Sequence, residues 1–184
     1  MKKLFVLALF FLCFSIPLLA QDYRGENKIF LTLEMVEGVG IVYESDQGTI
    51  EINEDENTFS FDAVMESFRL IDDTMNLTLW NTLFYEELLL DVSYEGAFPI
   101  MKLDGETDKK QQVEINGTIH IGEYNFAQPL LIQWTLMDRL VFLDFDTKVS
   151  LSDLGIEIPE KYKSKLTGNV FIKVVNGKLT GGYR

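Results

Sequence analysis

Apolar residues alternate with polar ones along most of this chain, and this two-residue period restricts the fold more than any other feature. Successive side chains of a β-strand point to opposite faces, so the pattern is typical of strands with one buried and one solvent-facing side. We therefore expect mainly antiparallel strands. The clearest apolar sets are Ile29, Leu31, Leu33 and Met35; Ile50 and Ile52; Phe59, Phe61 and Ala63; Val113, Ile115, Ile119 and Ile121; Leu130, Ile132, Trp134 and Leu136; Val141, Leu143 and Phe145; Val170, Ile172 and Val174.

Turn-forming residues separate these alternating runs. Asn176-Gly177 stands between two apolar segments, and both residue types tolerate the positive φ angles of a two-residue turn. The pair therefore predicts a β-hairpin. Residues 38–40, 46–48 and 54–57 contain Gly, Asp or Asn and predict further reversals of the chain.

One stretch, residues 72–90, departs from the two-residue period. Its apolar residues recur at three- and four-residue steps, as on one face of an α-helix: Met75, Leu79, Trp80, Leu83 and Phe84. Asp72 or Asp73 is a suitable residue to cap the start of this helix. A second, shorter helical turn is expected after Pro159, at residues 160–163.

About eight to ten short strands with one interrupting helix predict an all-β protein, either an antiparallel barrel or a sandwich. The strands do not alternate regularly with helices, which excludes a parallel α/β fold. Several runs are long enough to favour a barrel. Because no internal repeat or linker divides the chain, residues 21–184 are expected to form a single domain.

The first residues have the order of a secretory signal peptide. Lys2 and Lys3 precede an apolar run at residues 4–16, Pro17 follows, and Ala20 offers a small residue for cleavage. The apolar run is shorter than the roughly 20 residues that a membrane-spanning helix needs. We therefore expect residues 1–20 to be removed and the mature protein to be periplasmic or secreted, without a stable membrane anchor.

Cleavage at that position would also remove Cys13, the single cysteine of the chain. The mature protein would then have no disulfide, no thiolate nucleophile and no cysteine metal ligand. The formal net charge is −13, and a chain of that charge repels nucleic acid and anionic lipid headgroups. No cofactor is predicted, and the oligomeric state stays open, a homodimer included.

Few residues suggest chemistry. His120 is the only histidine, and the alternation puts it on the face opposite Ile119 and Ile121, where it has no second histidine to form a zinc site. Asp144 and Asp146 share one strand face and could hold calcium or act as an acid/base pair. A solvated strand face explains them more simply, so we predict no catalytic or metal-binding residues.

Aromatic residues are more numerous than the surface of one small domain would carry, with 14 Phe, 7 Tyr and 2 Trp in the chain. An ordinary core accounts for most of them, since each buried ring contributes roughly 1.5–3 kcal/mol. A barrel of about eight strands can also enclose one small ligand. The alternation does not separate a filled barrel from a hollow one.

Several segments resemble the YceI-like family. Residues 117–122, Gly-Thr-Ile-His-Ile-Gly, with the strand that follows them, are similar to the Gly-x-Leu-x-x-His-Gly-x-Thr region of that family. Residues 48–52, 84–99 and 150–156 resemble further family motifs in matching order. The resemblance runs from about residue 28 to residue 175, and it implies an exported, lipocalin-like barrel that binds polyisoprenoids or related lipids.

These observations lead to the hypothesis of an exported carrier that holds an isoprenoid or fatty-acyl chain inside the barrel, with the helix at residues 72–90 as a lid. The candidate ligand-binding residues are Phe61, Phe68, Trp80, Phe84, Tyr94 and Trp134. An alternative is a packed barrel that acts without a ligand, as an envelope-stress or protein-interaction module. A hydrolase that uses Asp144 and Asp146 is a third reading.

Overall fold

The structure is a computed structural model that describes residues 21–38, 40–71, 91–99, 107–121, 124–138 and 140–183. Most of these residues lie in strands. No helix in these ranges is both long and apolar enough to cross a membrane. The strands are β1 (Gln21–Met35), β2 (Gly40–Asn53), β3 (Thr58–Val64), β4 (Arg69–Leu70), β5 (Asp91–Ala97), β6 (Thr107–Ile121), β7 (Tyr124–Met137), β8 (Leu140–Ser150) and β9 (Leu166–Tyr183).

Eight of these strands close into an antiparallel barrel in the order β1-β9-β8-β7-β6-β5-β3-β2, and the pairing of β1 with β2 completes the ring. The two-residue strand β4 pairs with the first half of β2. Closure satisfies the backbone groups that an open sheet would leave unpaired at its edges. The predicted all-β, lipocalin-like barrel is therefore confirmed.

The alternation in the sequence decides which side chains fill this barrel. On β3, Phe59 and Phe61 are fully buried, whereas Ser60 between them is half-buried and Asp62 is exposed. The same period continues along β8, where Val141, Leu143 and Phe145 point inward. The core is thus the inner surface of the barrel.

Two of the predicted elements, the signal peptide at residues 1–20 and the helix at residues 72–90, are outside the described residues. The helical turn expected after Pro159 is present as a 3-10 turn at Glu160–Tyr162, and a second 3-10 turn, Met65–Ser67, follows β3.

The prediction of a hairpin at Asn176-Gly177 is wrong. Both residues lie inside β9, where the partners Leu143↔Gly177 and Phe145↔Val174 place two residues of β9 opposite Asp144 alone. Asn176 has a φ of 52°, so the chain uses its tolerance of positive φ for a β-bulge rather than for a turn. The backbone N–H of Asn176 donates to Asp144 Oδ1 at 2.7 Å, which satisfies the group that the bulge frees.

The reversal predicted at residues 46–48 is also wrong, for the same reason. Strand β2 continues through these residues, and the partners Asn27↔Gly48 and Ile29↔Ser45 place two residues of β2 opposite one of β1. Turn-type residues again form a bulge inside a long strand. The reversals predicted at residues 38–40 and 54–57 do join strands, the first with Gly38 at φ 82° and the second with Asn57 at φ 54°.

A buried asparagine joins the two bulges. Asn27 on β1 is 8% exposed, and its Oδ1 accepts from the Lys178 backbone N–H at 2.6 Å. Its Nδ2 donates to the carbonyl oxygens of Gly25 at 3.0 Å and Lys178 at 3.4 Å. We call the four-strand region formed by residues 46–48, Asn27, residues 175–178 and Asp144 the polar seam.

The barrel has two ends that differ in their connections. At the lower end, β1 meets β2, β6 meets β7, and β8 meets β9; at the upper end, β2 meets β3, β5 meets β6, and β7 meets β8. The connection from β8 to β9 folds back onto the lower end, where Leu151, Leu154 and Ile156 are buried.

Candidate ligand-binding site in the barrel interior

Four aromatic rings meet in the middle of the barrel and form what we call the aromatic layer: Phe59 and Phe61 of β3, Tyr94 of β5 and Phe145 of β8. Strands β3 and β8 lie on opposite sides of the ring of strands, and Phe145 reaches Phe61 at 5.2 Å and Phe59 at 5.8 Å between ring centroids. The rings therefore cross the full width of the interior. They divide it into an upper and a lower half.

Tyr94 anchors this layer to the wall. Its ring is stacked on Phe61 at 5.7 Å and lies against Gly117, where a Cβ atom would approach the ring to 2.5 Å. The phenol hydroxyl lies 3.1 Å from the Ile115 carbonyl oxygen and 3.2 Å from that of Gln128, and it donates to them. Burial raises the pKa of Tyr94 to about 12, so the group remains a neutral donor.

The lower half of the interior is lined by apolar side chains from several strands and from the connection between β8 and β9. Phe68 and Met65, from the turn after β3, are 6% and 1% exposed. Burial raises the pKa of Tyr43 to about 12. The other members are Leu31, Leu33, Ile41, Ala63, Val92, Ile119, Ile121, Val149, Leu151, Leu154, Ile156, Leu166, Val170 and Ile172.

The barrel wall parts between β7 and β8 beside this lower half. Their pairing ends at Leu131↔Asp146, and residues 124–130 of β7 pair with β6 alone among the described strands. Pro129 fits this free edge, because proline cannot donate to a neighbouring strand. Phe126 faces inward here but is only partly buried against the core. Gly155 packs against the ring of Tyr124, so the β8–β9 connection covers part of the opening.

A groove of about 730 Å³ runs along that connection. Its buried apolar floor consists of Leu151, Ile156 and Leu166, and its polar rim includes Glu157 and Lys163. The volume is within the range of about 300–1,000 Å³ typical of small-molecule sites. The lower end thus combines an apolar interior, a parted wall and an apolar groove.

Two buried polar groups in the interior have no hydrogen-bond partner among the described residues. They are the indole N–H of Trp134 on β7, at 3% exposure, and the hydroxyl of Thr147 on β8, at 6% exposure. Leaving such a group unsatisfied costs about 1–3 kcal/mol. Trp134 is paired with Leu143, on the upper side of Phe145, whereas Thr147 follows Phe145 toward the lower end.

A second groove lies on the outside of the barrel and has a different character. It has a volume of about 570 Å³ and is lined largely by outward-facing polar residues of β2, β3, β5 and β6, Glu51, Asp62, Glu95 and His120 among them. The predicted outward position of His120 is confirmed, and its Nδ1 lies 2.5 Å from Asn125 Oδ1. Within the described ranges, no three His, Cys, Asp or Glu side chains are arranged to hold a metal ion.

Asp144 and Asp146 have separate surroundings. Asp144 accepts from the Asn176 backbone N–H in the polar seam, and its Oδ2 accepts from Lys110 Nζ at 2.9 Å. Partial burial raises the pKa of Asp144, but these hydrogen bonds and the charges of Lys110 and Lys173 outweigh it and lower the pKa overall. The carboxylate is therefore a structural acceptor, while Asp146 is exposed.

The six candidate ligand-binding residues are distributed unevenly. Phe61 and Tyr94 are brought together in the aromatic layer, Phe68 lines the lower half, and Trp134 lies on the upper side of the layer. Trp80 and Phe84 are outside the described residues. Sequence reasoning missed the role of Phe145 in closing the layer. It also missed Thr147, although the alternation along β8 places that residue on the inner face.

Comparison with family models finds no match to the sequence, and comparison with curated proteins finds none either. Among solved structures, the fold is similar to that of a polyisoprenoid-binding domain from Saccharophagus degradans implicated in plant cell wall breakdown. The two share 9% identity with a TM-score of 0.65, over 90% of this chain and 99% of that domain. It is also similar to BcnA from Burkholderia cenocepacia, at 12% identity and a TM-score of 0.59, over 82% of this chain and 94% of BcnA.

At these identities the similarity defines the fold. The chain has the lipocalin-like barrel that its resemblance to the YceI-like family implies.

Proposed function

We propose that this chain is an exported carrier that holds a long apolar ligand, an isoprenoid or fatty-acyl chain, in the lower half of its barrel. The observation that carries the proposal is the apolar lining of this half beside the parted wall between β7 and β8. Each methylene removed from water contributes about 0.8 kcal/mol. A long chain therefore binds without a charged anchor.

The aromatic layer limits the depth of such a ligand. Phe61 and Tyr94 would form the floor of the site, and Phe68 would form part of its side. Trp134 lies beyond the floor, so we do not expect it to touch the ligand. Trp80 and Phe84 remain predicted contacts in a lid at residues 72–90.

The comparison with known structures supports this proposal. A domain named for polyisoprenoid binding has the same fold over 99% of its length. The extension of that property to this chain rests on the apolar interior rather than on sequence identity, which is 9%.

A pair of variants on β7 tests the site. Phe126→Asp would place a carboxylate at the parted wall, facing inward, whereas Leu131→Asp would place one on the exposed outer face, where Leu131 is 40% exposed. We expect Phe126→Asp to abolish the uptake of a polyprenyl or fatty-acyl probe measured by native mass spectrometry. Leu131→Asp should bind as the unmodified protein does.

The alternative function, a packed barrel that acts through its surface, is favoured by one observation. The aromatic layer already fills the centre of the interior. An unmodified protein that takes up neither probe, and that purifies from its producing cell without a lipid, would support this alternative and contradict the carrier.

Export is tested separately. Expression of the full chain in a bacterium with a periplasm should yield a mature protein that starts at Gln21, as read by N-terminal sequencing. Recovery from the cytoplasm with Met1 in place would contradict export without affecting the ligand site.

A further inference from the structure

Thr147 is the one buried polar side chain on the inner face of β8, and its surroundings are apolar. Its inward neighbours along the strand are Phe145 and Val149, and its partner across to β9 is Ile172. On its other side the pairing with β7 has already ended, at Asp146. The hydroxyl therefore lies just below the aromatic layer, beside the parted wall.

Among the described buried residues, the asparagine and serine side chains have partners, whereas the Trp134 indole N–H, on the other side of the aromatic layer, has none. Asn27 is satisfied within the polar seam, Ser45 bonds to Ser67 at 2.6 Å, and Asn53 accepts from the Glu56 N–H at 3.0 Å. Thr147 Oγ1 has none among the described residues. A buried hydroxyl without a partner is rare in native proteins, so the Thr147 hydroxyl is available to a group that the described residues do not supply.

The lack of charged side chains among the described buried residues limits which chemical groups can bind beside Thr147. No Lys, Arg, Asp or Glu belongs to the buried residues that the structure describes, so an ionised group beside Thr147 would be desolvated without a counter-ion. A neutral oxygen, such as that of a ketone, ester, ether or alcohol, avoids this cost and accepts the hydroxyl proton.

We infer that Thr147 is a polar anchor that hydrogen-bonds a neutral oxygen within an otherwise apolar ligand. This inference rests on the proposed carrier function and makes it more specific: the ligand is an oxygen-bearing lipid rather than a plain hydrocarbon, and its oxygen lies deep in the lower half. Any charged end of the ligand would stay at the lower end, outside the apolar lining.

The experiment uses two probes with the same carbon skeleton, a long-chain alkane and the corresponding ketone, and measures their affinities for the mature protein. Thr147→Val removes the hydroxyl with almost no change in shape, and Thr147→Ser keeps it. We expect Thr147→Val to weaken binding of the ketone about five-fold and to leave binding of the alkane unchanged. Thr147→Ser should retain the preference for the ketone.

Stability of the ligand-free protein provides a second readout. Because Thr147→Val removes an unsatisfied polar group, we expect its thermal midpoint to rise while its affinity for the ketone falls. If Thr147 acted only in packing, its substitution would change the affinities for both probes equally.

Trp134→Phe is the control variant. It removes the indole N–H on the other side of the aromatic layer, and we expect it to leave the ratio of the two affinities unchanged.

The outcomes separate the inference from the function on which it rests. If the unmodified protein binds both probes and Thr147→Val affects them equally, or affects neither, the anchor is wrong and the carrier stands. If Trp134→Phe instead changes the ratio of the ketone and alkane affinities, the ligand oxygen lies in the upper half, and its assignment to Thr147 is wrong. If neither probe binds the unmodified protein, both the function and the inference fail.

Discussion

The polar seam and the aromatic layer belong to the same barrel, yet they are held together in opposite ways: the seam lies mostly at the outer surface, whereas the layer is fully inside. In the seam, the side chains of Asn27 and Asp144 form hydrogen bonds of 2.6–3.4 Å with backbone groups of β1 and β9. In the layer, four rings contact one another over large apolar areas. The seam depends on particular atoms at particular positions, whereas the layer depends on filled volume.

This difference assigns the two regions different tasks. Bulges increase the local twist of strands, and the seam brings them together on four consecutive strands, β2, β1, β9 and β8. It therefore shapes the wall. The layer joins opposite walls, and under the proposed function it would limit how far a ligand reaches into the interior. We therefore expect variants in the layer to lose stability through lost volume, and variants in the seam to lose it through broken hydrogen bonds.

The largest effect is expected in the layer. Phe61→Ala removes a fully buried ring that contacts both Tyr94 and Phe145, and we expect a loss of about 3–5 kcal/mol in the free energy of unfolding by denaturant. Phe61→Leu, which refills most of the volume, should lose less. Equal losses for the two variants would show that the layer does not depend on volume.

A smaller but more selective effect is expected in the seam. Asn27→Ala leaves the Lys178 N–H and two carbonyl oxygens without their partner, so we expect a loss of about 2–3 kcal/mol in unfolding free energy. Asn27→Leu should not rescue it, although it restores the volume. The neighbouring Lys28→Ala, which breaks only an exposed ion pair with Glu44, should cost less than about 1 kcal/mol.

Tyr94 belongs to both types of region, because its ring packs and its hydroxyl donates. Tyr94→Phe keeps the ring and removes the hydrogen bonds to two carbonyl oxygens, for which we expect a loss of about 1 kcal/mol in unfolding free energy. The raised pKa, about 12, predicts a phenol that ionises well above pH 10 in an ultraviolet titration. Ionisation of every tyrosine near pH 10 would mean that the layer is open to water.

The smallest effect concerns the pH dependence of the seam. The pKa of Asp144 is lowered in the folded protein, so the stability that its carboxylate contributes is present above the unfolded pKa and is lost as the pH falls through the folded value. We expect Asp144→Asn to cost less than about 1 kcal/mol near neutral pH and to differ less from the parent in acid.

Asp146→Asn is the matched control for that titration, since Asp146 is exposed on the same strand. Its unfolding free energy should follow that of the parent at every pH. A difference between parent and Asp144→Asn that grows in acid would contradict the role of Asp144 as an ionised acceptor.

Much of the barrel is predictable from the sequence alone. The alternation of Phe59, Ser60 and Phe61 decides which face of β3 is buried, because a period of two is a property of every strand. The same rule places His120 outside and Phe145 inside. Turn residues were less informative: Asn176 and residues 46–48 permit positive φ or a break in regular pairing, which suits a bulge as well as a hairpin.

The candidate site depends on contacts between distant strands, which the alternation of apolar and polar residues does not predict. Nothing in the local sequence places Phe145 of β8 against Phe61 of β3, since those strands become neighbours across the interior only when the ring closes. The alternation did put Thr147 on the inner face. That its hydroxyl has no partner among the described residues depends on the neighbours that the barrel places around it, such as Ile172 on β9.

The sequence by itself therefore determined the class of fold and the inner face of each strand, because these follow from the local geometry of an extended backbone. Tertiary structure alone decided that the interior is divided by an aromatic layer and that two turn-like segments are bulges. It also decided that the Thr147 hydroxyl, beside the parted wall, has no partner among the described residues. These features are set by contacts between residues far apart in the chain, and the closure of the barrel brings those residues together.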